Sequence, residues 1–124
     1  LFELGARIAV VTSGERGCVA CWEQWTFAFP AFPIDVVDTT GSGDAFHGGF
    51  IYGLLQGWPM EKIVRFASAV GTLNCRSLGG RTALPTYDET DDFINQNLAL
   101  FVPKQLTPPW KGRSWRILIK GSKR

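Results

Sequence analysis

The sequence has 124 residues, of which 45% are hydrophobic, 13% aromatic and 19% charged, with a formal net charge of +2; this is the profile of a packed globular domain and argues against a disordered or low-complexity chain. No apolar run approaches the roughly 18 residues of a membrane span, and no basic segment followed by an apolar core opens the chain, so a cytoplasmic location is expected. The charge is uneven: residues 1–100 hold six basic and all eleven acidic residues, whereas residues 101–124 hold seven basic and no acidic ones, which sets the last segment apart as a basic tail.

The first residues, Leu1-Phe2-Glu3-Leu4-Gly5-Ala6, lack an initiator Met and run straight into Ile8-Ala9-Val10-Val11, as the interior of a longer polypeptide would. Residues 7–12 form a β-branched apolar run that ends at Ser13-Gly14-Glu15-Arg16-Gly17, which predicts a buried parallel strand. Cys18–Trp22 and Trp25–Phe29, joined through Glu23-Gln24, predict the two strands of a hairpin. Pro30 and Pro33 then stop regular pairing. A further element is expected at Val36-Val37, breaking into a loop rich in Thr, Gly and Ser.

After Asp44 the apolar period changes to that of a helix, through Phe46, Phe50, Ile51, Leu54 and Leu55, with Gly57 as its stop. Gly48, Gly49 and Gly53 each weaken a helix by about 1 kcal/mol relative to Ala, so close packing or close ligand approach is expected to justify them. Pro59 opens a second helix with Ile63, Phe66, Ala67, Val70 and Leu73 on one face, giving out near Gly79-Gly80. Thr86-Tyr87-Asp88-Glu89 is a capping-box pattern and predicts a third helix to about Asn97. Beyond Val102, Pro103, Pro108, Pro109 and Gly112 interrupt any period, and Trp115–Ile119 is the one short candidate strand.

Cys18, Cys21 and Cys75 leave one thiol over in any disulfide scheme, which a reducing compartment explains most simply. Cys18-Val19-Ala20-Cys21 has the spacing of a metal knuckle or redox pair. Zinc, however, needs four ligands and the chain offers only one further Cys and one His, so a structural role is the expectation.

The feature that carries chemistry is a Gly-rich loop entering a helix with an acid at the boundary, Asp38-Thr39-Thr40-Gly41-Ser42-Gly43-Asp44. A helix N-terminus has unpaired N–H groups and a partial positive charge, so Gly41, Ser42 and Gly43 are candidate donors to an anion. Asp44 is then placed to act as a base beside a bound phosphate, ionised with help from the local dipole. The same residues also make an ordinary tight turn with an acidic residue at a helix start, and the loop alone leaves both readings open. Two competing motifs fail: Phe46 stands where a dinucleotide fingerprint needs Gly, and no Gly-Lys-Ser/Thr run exists for a Walker-type loop.

Asp38-Thr39-Thr40-Gly41-Ser42-Gly43-Asp44-Ala45-Phe46 resembles the second signature of the ribokinase/PfkB carbohydrate kinases, D-T-T-G-A-G-D-x-F, with Ser42 in place of a common Ala. Val11-Thr12-Ser13-Gly14-Glu15-Arg16-Gly17 is similar to the family's strand-turn T-x-G-x-x-G. Downstream come the Gly-Trp-Pro break, Phe66-Ala67-Ser68-Ala69, and Leu78-Gly79-Gly80-Arg81 leading to Leu84-Pro85, so the resemblance covers roughly residues 5–97 in order. It implies an α/β fold: residues 1–100 as the C-terminal part of a ribokinase-like three-layer αβα domain with a short β-hairpin, and residues 101–124 as a basic, Pro-containing tail.

The resemblance also implies roles. Asp44 would deprotonate the sugar hydroxyl that attacks the γ-phosphate of ATP, with Gly41, Ser42 and Gly43 as the anion hole and Mg²⁺ on the nucleotide phosphates. Thr12, Gly14, Gly17 and Ser68 would line the nucleotide site, Ser68 standing where many relatives carry Asn or His. Many members bind a monovalent cation such as K⁺ through carbonyls near the loop, and Asp38, Thr40, Asn74, Ser77 and Gly79 occupy the matching places, with Ala83 where ribokinases often offer a hydroxyl. His47 is expected to pack or be partly exposed, Arg81 to reach a phosphate or stay solvated, and Trp22, Trp25 and Phe27 to pack in the hairpin. The acceptor by family default is a sugar, and full-length relatives would be the ones to dimerise.

In the family the N-terminal half supplies most sugar contacts, the lid and a polar motif that helps organise Mg²⁺. The isolated chain is therefore expected to show little or no turnover, and the alternative reading is a non-catalytic, nucleotide-binding remnant. The basic tail is read as adventitious or disordered in preference to a nucleic-acid contact, because no base-stacking module accompanies it.

Overall fold

The computed structural model describes residues 5–79 and 84–106, and these divide into two compact units, one within residues 1–31 and 102–124 and the other spanning 32–101. The first unit is an antiparallel sheet. Its strands are β1 (Ile8–Thr12), β2 (Cys18–Trp22), β3 (Trp25–Phe29) and the two-residue β4 (Lys104–Gln105), in the order β1-β2-β3-β4. The hairpin expected at 18–29 is present, with Trp22 opposite Trp25 and Glu23 turning at φ 51°. Trp22 and Phe27 stack with centroids 5.3 Å apart, as packing residues of the hairpin would.

The parallel strand expected at residues 7–12 is corrected by the structure: β1 pairs antiparallel with β2, Ile8 against Trp22 and Thr12 against Cys18. The physical reason lies in the connection. Residues 13–17 are too few for the crossover that a parallel neighbour requires, and an apolar β-branched run does not encode the direction of its partner. Those five residues form a tight 3-10 turn, in which Ser13 N–H donates to Gly17 C=O and Gly17 N–H to Gly14 C=O.

Gly17 is indispensable to that turn. Its φ of 87° and ψ of −140° fall in a region that only glycine adopts readily, and a Cβ built on it would lie 1.9 Å from the Phe29 carbonyl oxygen. In β2, Cys18, Ala20 and Cys21 are all buried, and burial pushes the Cys21 thiol pKa up, partly offset by its hydrogen bond with Thr26. Cys21 and Cys75 are free thiols, and no group of three His, Cys, Asp or Glu side chains gathers to hold a metal among the described residues. The basic tail contributes β4 against β3; the Trp115–Ile119 run lies outside the described residues.

The second unit is helical: α1 (Ser42–Gln56), α2 (Met60–Leu73) and α3 (Tyr87–Asn97), with a 3-10 turn at Asn74–Arg76. No strand forms at Val36-Val37. Both side chains are exposed, and Val37 N–H donates instead to the Cys75 carbonyl. That stretch is short and follows two prolines, so its apolar character alone did not provide a strand partner.

The α1–α2 pair is held close by small residues. A Cβ on Gly49 would meet the Ala67 Cα at 3.0 Å, and one on Gly53 would meet the Ile63 side chain at 3.0 Å. These two glycines are thus explained by packing, which offsets their cost to the helix. Gly57 ends α1 in the left-handed conformation, and the Gly57 and Trp58 N–H groups turn back onto Leu54 and Gly53 carbonyls. Pro59 caps α2, whose buried Ile63, Val64, Phe66, Ala67, Ala69, Gly71 and Leu73 extend the expected face. Burying Ile63 and Val64 contributes about 1.5–3 kcal/mol each.

α2 ends at Leu73, earlier than Gly79-Gly80. In α3 the capping box is complete: Thr86 Oγ1 accepts from Glu89 N–H at 3.1 Å, and Glu89 Oε1 accepts from Thr86 N–H at 3.0 Å. These bonds to Thr86 hold the Glu89 carboxyl below its ordinary pKa, aided by Arg76. Phe32 stacks on Phe101 at 4.4 Å and meets Phe93 edge-on at 5.2 Å, tying together the two ends of this unit.

Candidate active site

The loop 38–44 is built by side-chain hydrogen bonds before the helix begins. Asp38 Oδ1 accepts from the Thr40 N–H at 2.9 Å and from the Thr40 hydroxyl at 2.7 Å, while Oδ2 accepts from the Gly79 N–H at 3.0 Å. The carboxylate therefore folds the loop on itself and ties it to a segment 41 residues further on. With the Gly79 amide first and the Thr40 hydroxyl and amide next, these donors hold the Asp38 carboxyl at a pKa of about 2.

Asn74 supplies a second tie. It is completely buried, its Nδ2 donates to the Thr40 carbonyl at 3.2 Å, and its Oδ1 has no hydrogen-bond partner among the described residues. A buried amide oxygen left unsatisfied is costly, so this atom is an acceptor waiting for a donor or a cation. The structure thus brings together Asp38, Thr40, Asn74 and Gly79 from the expected cation set. Ser77 is half-buried in extended backbone beside them in sequence.

Gly41 takes φ 75° and ψ 3° as the N-cap of α1, so the chain turns sharply through a left-handed residue into the helix. The helix starts at Ser42, two residues before Asp44, and so Ser42 and Gly43 lie inside its first turn together with Asp44. Ser42 N–H closes the turn onto the Thr39 carbonyl and Ala45 N–H makes the first intrahelical bond to Gly41. Gly43 and Asp44 contribute the amides that helix geometry leaves for an anion. Gly43 would meet nothing within 4 Å of a Cβ, and the Asp44 side chain is exposed. This first turn can present oriented N–H groups and a carboxylate to the same small anionic group.

One positioning residue carries no signature in the sequence. Gly71 of α2 faces the start of α1, where a Cβ would lie 3.0 Å from the Ser42 carbonyl oxygen. Its only sequence signal is a small residue four after Ala67, one helical turn along the face that meets Gly49.

The expected nucleotide residues fall in both units. Thr12 ends β1 and is exposed, Gly14 starts the following turn at φ 55°, and Gly17 ends it; Ser68 is half-buried in the middle of α2, in the same unit as Asp44. His47 is an exposed residue of α1, edge-on to Phe46 at 6.3 Å. Gly80, Arg81 and Ala83 lie outside the described residues. No helix among the described residues is long and apolar enough to cross a membrane.

The loop lies within a stretch that matches a known family. Residues 1–87 match the pfkB family carbohydrate kinase profile. The 5-dehydro-2-deoxygluconokinase of Geobacillus thermodenitrificans is 36% identical over 94 residues, covering 75% of this chain and 28% of that protein. The ribokinase of Bacillus subtilis is 32% identical over 85 residues, covering 68% of this chain and 29% of its own length. Among solved structures, ribokinase from Thermotoga maritima superposes with a TM-score of 0.72 at 31% identity, over 76% of this chain and 32% of that one. An Escherichia coli structure described as a putative ribokinase II in complex with ATP and Mg²⁺ superposes with a TM-score of 0.73 at 26% identity, over 76% and 30%. The chain thus spans less than a third of the length of these relatives, with a ribokinase-like α/β fold over the part it covers. On the family profile, the ordered motifs and the shared fold, this chain belongs to the pfkB family of carbohydrate kinases.

Proposed function

We propose that this chain is the phosphate-handling part of an ATP-dependent kinase that phosphorylates a sugar hydroxyl, with Asp44 as general base. The observation that carries the reading is the entry to α1. A left-handed Gly41 places the amides of Gly43 and the carboxylate of Asp44 in one exposed helical turn, and Asp38 pins the loop below it to Gly79. In the reaction, the Asp44 carboxylate takes the proton of the acceptor hydroxyl as its oxygen bonds to the γ-phosphorus. The bond from that phosphorus to the bridging oxygen breaks, and ADP departs. The oriented amides of the turn, with Gly41, Ser42 and Gly43 allowing close approach, hold the charge on the transferring group.

Mg²⁺, when bound with the nucleotide, neutralises charge on its phosphates; such ions are held largely by phosphate oxygens and water, and no residue of this chain is assigned to it. For a monovalent cation, the unsatisfied Asn74 Oδ1 beside the Asp38–Thr40 loop is the donor chemistry required, an uncharged oxygen already desolvated. Asn74, with carbonyls of Asp38, Thr40, Ser77 and Gly79, would hold it and brace the loop. Thr12, Gly14, Gly17 and Ser68 are proposed to line the nucleotide. The acceptor proposed is a sugar or related small molecule, and the setting cytoplasmic. A chain spanning under a third of its relatives also favours a second reading, a nucleotide-binding piece without turnover of its own.

The test transplants residues 7–97 in place of the matching segment of the Bacillus subtilis ribokinase and follows ATP-dependent phosphorylation of ribose. Asp44→Asn is expected to lower kcat by about 10²–10⁴-fold with the KM for ATP little changed. Equal kcat for the two proteins would remove Asp44 from the base role. The 124-residue chain alone is expected to bind nucleotide without forming sugar phosphate.

A further inference from the structure

Residues 102–106 lie beyond the stretch 1–87 that the family profile matches, yet they add a strand to the sheet. Lys104 and Gln105 of β4 pair antiparallel with Ala28 and Phe27 of β3, and Leu106 N–H donates to the Thr26 carbonyl at 2.9 Å. Antiparallel bonding alternates, so Ala28 N–H is the β3 donor that faces Lys104, and Gln105 N–H points away from β3. Thr26, Phe27 and Ala28, the middle of β3, are thus covered on that edge.

The two strands differ in what they present at an open edge. β3 is Trp25-Thr26-Phe27-Ala28-Phe29, aromatic and uncharged, in a hairpin whose other strand is the equally uncharged Cys18-Val19-Ala20-Cys21-Trp22. An uncovered strand of that kind is a template for another chain. β4 has only two residues, both exposed and one of them Lys, and it follows directly on Pro103, which has no N–H to offer. Shortness, lysine and proline are the means by which an edge is kept from pairing further. Because neither side chain of β4 is buried, backbone hydrogen bonds hold it in place. A short tether delivers it: Phe101, three residues before Lys104, is buried and stacks at 4.4 Å on Phe32, which lies three residues after Phe29.

We propose that β4 is an edge strap: residues 104–106 occupy in cis the strand-accepting edge of β3, and a second copy of this chain, pairing through its own β3, takes that edge when the strap is displaced. The occupant follows from the strand itself. Antiparallel pairing of β3 with a second β3 is self-complementary about a two-fold axis, and it sets uncharged, largely aromatic side chains beside one another. The strap is independent of the role of Asp44.

The test uses the full 124-residue chain. Leu106→Pro removes the N–H that reaches Thr26, and Gln105→Pro, on the outward side of the same strand, is the matched control. Sedimentation velocity over a range of concentrations should show self-association at least ten-fold tighter for Leu106→Pro than for the unchanged chain, with no change for Gln105→Pro. In dilute solution the Ala28 amide of Leu106→Pro should exchange at least ten-fold faster than in the unchanged chain, and it should regain protection as the concentration rises. Adding Trp25→Lys to Leu106→Pro places a charge on the opened strand and should restore the original association. Equal self-association in the unchanged chain and both proline variants, unaltered exchange at Ala28, association that Trp25→Lys leaves intact, or a dimer in which β4 is swapped between copies would each overturn the proposal.

Discussion

Gly17→Ala should be the most damaging single-atom change in the sheet. The residue holds φ 87° and ψ −140°, and the added methyl would lie 1.9 Å from the Phe29 carbonyl oxygen and 2.8 Å from the Pro30 carbonyl carbon. Backbone strain at such a conformation costs about 1–3 kcal/mol. A further cost of about 1–3 kcal/mol comes from overpacking, and it falls at the upper end because the obstruction is backbone and cannot rotate away. The sum is about 3–5 kcal/mol. Gly14→Ala is the matched control: its φ of 55° is also left-handed, but nothing lies within 4 Å of the new methyl, so only about 1–2 kcal/mol is expected. Urea unfolding followed by tryptophan fluorescence reads both, since Trp22 and Trp25 sit at the hairpin turn of the same sheet. If Gly17→Ala proves no more costly than Gly14→Ala, the close approach of the 13–17 turn to residues 29–31 is wrong.

Two further outcomes follow from hydrogen bonds in the helical unit. The Asp38 carboxyl is held at about 2 against an ordinary 3.8. Because its folded value is depressed, its support of the loop is complete above pH 3.8 and is lost as the pH falls from there through 2. Exchange protection of the Gly79 amide should fall over that window and be pH-independent there in Asp38→Asn, whereas an Asp38 carboxyl titrating near 3.8 by NMR would contradict the bridge. Thr86→Ala removes the hydroxyl that accepts from Glu89 N–H and should cost about 1 kcal/mol, seen as a lower urea midpoint with an unchanged slope; an unaltered midpoint would mean that the cap contributes nothing in solution.

Local patterns were legible in the sequence because their causes are local. The hairpin at 18–29, the capping box at Thr86 and Glu89, and the stop at Gly57 each depend on residues within a few positions of one another. The glycine loop and its flanking motifs likewise declared the family. The direction of β1 was not legible, because apolar alternation records burial and not the partner's orientation. Nor was the fate of Val36-Val37, whose strand character needed a neighbour to become a strand.

What the sequence by itself determined is that Asp44 stands at a glycine-rich helix entry in a chain of the pfkB carbohydrate kinase family. The tertiary structure alone decided how that entry is held: Asp38 reaching Gly79 across 41 positions, Asn74 buried under Thr40 with one oxygen unsatisfied, and Gly71 making room for the Ser42 carbonyl. Each of these joins residues far apart along the chain, and such pairings depend on how α2 and the turn after it return to the loop, which no local propensity encodes.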